Sequence, residues 1–238
     1  MSLLQIGSIE MLLNRKPIKN LHISVLPPDG KVRVSAPEHM SDTAIRMAVV
    51  SRIPWIRKQQ AAFANQPRQS LRELVSGECH YLWGKRYRLD VVEQAGRHAV
   101  QVMGGNRIRL TVSPATTVAN RTRALDEFYR GEIKQRITDL LKKWQSKTEG
   151  GLSSWGVKKM KTKWGSCNPH LGRIWLNLEL AKKPPECLEY ILVHELVHLV
   201  ERHHNERFKS YMDTLMPDWR ERRSLLNSSP LAHTEWRY

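Results

Sequence analysis

The sequence predicts an α+β protein, with a β-rich N-terminal domain followed by a mainly helical domain that carries a small β-hairpin. Three observations lead there. Apolar and polar residues alternate with a period of two in several short stretches before residue 113. Turn-forming glycines punctuate the same region at 84, 96 and 104–105. From Thr117 onward the apolar residues recur instead at three- and four-residue steps, the period of a helix. The expected domains are therefore 1–113, with a helical insertion near 41–66, and 114–238.

The elements follow in order. In KVRVSA (31–36), Val32, Val34 and Ala36 alternate with Lys31, Arg33 and Ser35, which reads as a half-buried strand. LHISVL and the turn PPDG before it complete a hairpin. Residues 41–66 read as helical from Ser41, an N-cap residue, and Pro54 should break the run and start a second helix carrying Trp55. Residues 80–113 supply three or four strands between the glycine turns. Leu125, Phe128, Tyr129, Ile133, Ile137, Leu140, Leu141 and Trp144 recur at three- and four-residue steps and predict a long helix over 117–149. WGVKKMKTKWGSC (155–167) alternates Lys159, Lys161 and Lys163 with Met160, Thr162 and Trp164, predicting a strand with one basic face. NPHLG is then a turn and RIWLNLEL (173–180) the returning strand, which sets Arg173 across from the lysines. Pro184 and Pro185 suit the first turn of the next helix. No internal repeat stands out.

Composition narrows the setting. The 238 residues are 40% hydrophobic and 26% charged, as in a folded globular protein. No run approaches the ~18 apolar residues of a membrane helix, and the N-terminus has no signal-peptide pattern, so no membrane association is expected. Three scattered cysteines fit a reducing compartment, and the cytoplasm is the expected location. Lys and Arg total 39 against 23 Asp and Glu, a net charge of +16, which allows contact with nucleic acid or another polyanion. No obligate protein partner is implied.

Chemistry concentrates in ILVHELVHLVERHHNERF (191–208). Unbound histidines and glutamates are costly in so apolar a helix. His194, Glu195 and His198 spell H-E-x-x-H, and on a helix the two histidines lie about 40° apart round the axis and one turn along it. Both imidazoles then reach one metal, while Glu195 on the adjoining edge can act on a water beside it. A hydrolytic zinc takes a third ligand and keeps one position open. His204 and His203 both follow, and His204 is favoured. It can bind only if the helix breaks after His198, because on a continuous helix it would lie ~15 Å along the axis. ERHHN is a plausible break, and Asn205 can cap a second helix with Phe208, Tyr211, Met212 and Leu215 on its buried face. The expected cofactor is one zinc per chain. Trp164, Gly165 and Cys167 each have a structural and a functional reading. Cys167 as a fourth ligand would close the site.

The run from Lys159 to Leu226 resembles the YgjP-like predicted metal-dependent hydrolases, the DUF45 group of zincin-like metallopeptidases. The features that carry the resemblance are KTKWGSC (161–167), Asn177, Pro184-Pro185, Tyr190, His194-Glu195-Leu196, His198-Leu199, His204, Phe208 and Met216-Pro217. KVRVSAP, WIRKQ and SGECHYLWGKRYRL extend it into the N-terminal half. The resemblance implies a zincin-like C-terminal domain, zinc on His194, His198 and His204, and Glu195 as base. It departs from the metzincin pattern at Glu201, where that motif has the glycine of its turn. The expected substrate is a peptide. A nucleoside triphosphate cleaved at a phosphoanhydride is the alternative, with Lys163, Trp164 and Arg173 as substrate contacts. A nucleic-acid-associated protein with structural zinc is a third possibility.

Overall fold

The computed structural model describes residues 2–26, 30–65, 73–148, 150–160 and 163–228. The described residues fall into two compact units, those of Met1–Ser70 and those of Leu71–Ser229. The boundary expected after residue 113 thus falls inside the second unit. The physical reason is a shared core. Leu89, Ile108 and Leu110 of the sheet before it are buried in one cluster with Tyr129, Ile133 and Ile137 of the helix after it.

In the first unit four strands, β1 (Ser2–Ile6), β2 (Ile9–Lys16), β3 (His22–Leu26) and β4 (Lys31–Pro37), form a sheet in the order β1-β2-β4-β3. The expected hairpin is the antiparallel pair β3–β4, with Ile23 opposite Val34. Three residues of its turn, 27–29, lie outside the described residues. Met11, Leu13, Val32, Val34 and Ala36 share a core with Ile45 and Val49 of α1 (Asp42–Val50) and Ile56 of α2 (Ile53–Asn65). Ser41 caps α1 by accepting from the Ala44 N–H at 3.2 Å. Pro54 sits in the first turn of α2, where its missing N–H leaves no bond unmade.

The second unit opens with β5 (Cys79–Leu82), β6 (Lys85–Glu93), β7 (Ala99–Met103) and β8 (Arg107–Val112), in the order β5-β6-β8-β7. This repeats the topology of the first sheet, including the parallel pairing of its second and fourth strands. The repetition lies in strand order and pairing direction, not in residue identity, so it left no trace in the sequence. Helix α3 (Val118–Trp144), capped by Thr117, covers this sheet.

A second, smaller sheet holds β9 (Ser154–Lys158), β10 (Gly165–Asn168) and β11 (Arg173–Asn177) in the order β10-β11-β9. Pairs β10–β11 form the expected hairpin, and β9 joins β11 in parallel. The single basic-faced strand expected over 155–167 is therefore two separate strands, Ser154–Lys158 and Gly165–Asn168. Lys159 leaves the alternation to pair with Asp126 at 2.6 Å, and Lys161 lies outside the described residues. The returning strand ends at Asn177, where a 3-10 turn over 178–182 begins. Asn177 ends it by turning its side-chain oxygen to the Glu179 N–H.

Helices α4 (Pro185–Val197), α5 (Glu206–Leu215) and α6 (Trp219–Ser228) complete the unit. Glu189 ties α4 to α3 and α6 by accepting from Lys143 at 2.7 Å, Trp144 at 2.8 Å and Arg222 at 2.6 Å. Burial alone would raise its pKa, but these three donors hold the carboxyl below its usual range. Among the described residues no helix is long and apolar enough to cross a membrane.

Candidate metal centre

Helix α4 ends where the third histidine requires it to end. Its last residue is Val197, His198 forms the cap, and α5 begins at Glu206 behind the Asn205 cap, whose side chain accepts from the Phe208 N–H at 3.0 Å. The reversal between the two helices carries His204 back over α4. His204 Nε2 lies 3.0 Å from His194 Nε2 and 3.0 Å from His198 Nε2. Nitrogens held ~2.0–2.1 Å from a tetrahedral ion stand ~3.3–3.4 Å apart, so these rings converge at about the spacing of a ligand set. His203 stays outside the group, its backbone N–H turned to the Glu201 carboxylate at 3.1 Å.

The surroundings prepare the three nitrogens for a cation. His198 Nδ1 donates to the Glu201 carbonyl at 3.0 Å, which leaves the Nε2 lone pair free. Burial, then the neighbouring His198, His204 and Arg223, push the His194 pKa down to about 3. Burial lowers His198 and His204 as well. All three rings are neutral at neutral pH, the form that binds metal. Phe208 supports them from the start of α5, its ring centroid 4.9 Å from His194, 4.7 Å from His198 and 4.8 Å from His204.

Glu195 is 5% exposed, and burial lifts its carboxyl pKa to about 8 against the pull of Lys163. A cation among the histidines pulls in the same direction as Lys163. Gly165 of β10 lies directly against this carboxylate. A Cβ at Gly165 would meet Glu195 Cγ at 2.7 Å and Cδ at 2.8 Å, so only glycine leaves the carboxylate in place. Gly165→Ala should therefore displace Glu195 and lower any hydrolytic kcat by ~10²-fold, the scale of losing a general base, with metal content unchanged. Kinetics beside metal analysis would check it.

The segment before β10 is held by a residue to which sequence reasoning gave no role. Buried Asn177 donates to the Met160 carbonyl at 2.9 Å and the Lys163 carbonyl at 2.7 Å, and its backbone N–H binds the Trp164 carbonyl. Its signal was available: a polar residue inside the apolar run IWLNLEL.

A cleft of about 630 Å³ opens over the histidines, lined among others by Lys163, Trp164, Gly165, Cys167, Glu195 and Arg202. Lys163 and Trp164 thus share the cleft with His194, His198, His204 and Glu195. Arg173 does not. It sits opposite Asn168 and Ser154, with Nε donating to the Ser154 hydroxyl at 3.1 Å, because the strand meant to carry the lysines past it is interrupted. Cys167 lines the cleft as a thiol, its pKa raised to about 12 by burial and by Glu195. Arg202 and Arg223 carried no expectation.

Three converging neutral imidazoles beside a buried carboxylate, at the foot of an open cleft, define a metal-dependent hydrolase. Residues 19–229 match the YgjP-like, metallopeptidase domain, and the chain belongs to that family. Membership implies a divalent metal, and the three-histidine group fits one. A comparison with curated proteins finds no match.

Proposed function

We propose that the chain is a zinc-dependent peptidase in which His194, His198 and His204 hold one zinc ion and Glu195 is the general base. The observation that favours a peptide is β10. It is an edge strand of its sheet, and Gly165, Ser166, Cys167 and Asn168 line the cleft beside the histidines. An open strand edge can pair with an extended backbone and lay it across the site. A bound zinc supplies Lewis acidity, making water a usable nucleophile near neutral pH. Glu195 takes a proton from the attacking water and returns it to the leaving nitrogen. Its contact with Gly165 keeps the carboxylate aimed into the cleft. A reducing cytoplasm suits three cysteines that form no disulfide, and we assign the reaction there.

A second reading, hydrolysis of a phosphoanhydride, is favoured by one observation, Lys163 in the cleft. Both readings are tested by incubating the purified chain with a peptide library and with nucleoside triphosphates, with and without chelator. Peptide cleavage that chelator abolishes and zinc restores is the expected result. Triphosphate hydrolysis with every peptide intact would replace it. Elemental analysis of protein purified without added metal should find about one zinc per chain, as a single three-ligand site requires.

A further inference from the structure

The cleft has a charge bias that its chemistry does not use. Glu195 is the one acidic side chain among its lining residues, whereas Lys163 and Arg202 both face it. Arg223 of α6 adds its field to His194, His204 and Tyr190. Several other cations of this unit are neutralised: Lys143 by Glu189, Lys159 by Asp126, Lys182 by Glu179 and Arg222 by Asp218. Lys163, Arg202 and Arg223 are exposed, and among the described residues none of them forms a salt bridge. Three cations left unpaired around one centre cost electrostatic self-repulsion, which an anionic ligand relieves.

Resting on the peptidase reading, we propose that the substrate is an acidic peptide, with carboxylate side chains on both sides of the scissile bond meeting Lys163 on one flank and Arg202 and Arg223 on the other. The two flanks follow from the fold. Lys163 leads into β10, while Arg202 lies in the reversal between α4 and α5 and Arg223 on α6. A peptide laid along β10 passes between them. The same arrangement repels lysine- and arginine-rich peptides, so selection comes from rejection as well as attraction.

The test uses zinc-loaded Glu195→Gln protein, which binds without turnover, and fluorescent peptides of one length whose flanking residues are Glu, Gln or Lys. The Glu peptide should bind tighter than its Gln counterpart by about fivefold per carboxylate, the upper range of a solvent-exposed ion pair. That preference should vanish in the Lys163→Ala, Arg202→Ala, Arg223→Ala protein. It should survive Lys142→Ala, which removes an exposed cation of α3 outside the cleft. Equal affinity for Glu and Gln peptides, or a preference that persists in the triple variant, would overturn the proposal. So would tripolyphosphate binding that depends on the three cations while the peptides are not distinguished. Selective binding with no cleavage by the zinc-loaded wild type would sink the peptidase reading yet leave the acidic-ligand preference standing.

Discussion

Glu195→Gln should keep its metal, lose hydrolysis by at least ~10²-fold, and gain stability. The amide keeps the shape of the carboxylate beside Gly165 but cannot accept a proton. The gain follows from burial. Without metal the folded-state pKa of Glu195 is raised from 4.5 to about 8. Below pH 4.5 both the folded and unfolded chains hold the proton, and the group costs nothing. Between 4.5 and 8 the unfolded chain has released it and the folded chain has not, so the folded state loses ground with every pH unit. Above 8 the full penalty stands, on the order of a few kcal/mol. Melting of the metal-free variant should therefore match wild type near pH 4.5 and exceed it increasingly towards pH 8. A variant that turns over substrate normally would remove Glu195 from the base role, and one that melts like wild type at pH 8 would remove the burial penalty.

The second large effect separates two neighbouring histidines. His204→Ala should abolish stoichiometric metal binding and activity, because two imidazoles on one helix face cannot enclose an ion. His203→Ala should leave both within about twofold, since its side chain stands outside the cluster and an exposed substitution is usually mild. Metal analysis of the two variants side by side decides the third ligand. The reverse result would transfer the role to His203.

How much of this was legible before the fold depends on the range of the interaction. The pair His194 and His198 is fixed by helix geometry alone, so spacing sufficed. The break after His198 could be read from ERHHN and from Asn205, which does cap α5. What carries His204 back is local too, yet nothing in the residues specifies the path of the turn. Long-range facts were harder. The lysine alternation over 159–163 looked like a strand, but Asp126 of α3 draws Lys159 away, a contact across 33 positions invisible to a window of residues. Arg173 lost its place in the cleft for the same reason. The boundary at 113 marks a real change from strands to helix. It misleads because a change of secondary structure need not coincide with a change of core.

Phe208 ties the life of the site to one short helix. The residue that supports all three rings and the cap that starts α5 lie within five positions of His204, so lifting the first turn of α5 withdraws the proposed third ligand and its support together. Loss of the ion then has a gate. With excess chelator the release rate should climb and level off at a ceiling set by the undocking of α5, whatever the chelator's strength. Amide exchange at the α5 N-terminus would report the same opening rate, which makes this corner of the protein a clock for how long the centre stays loaded.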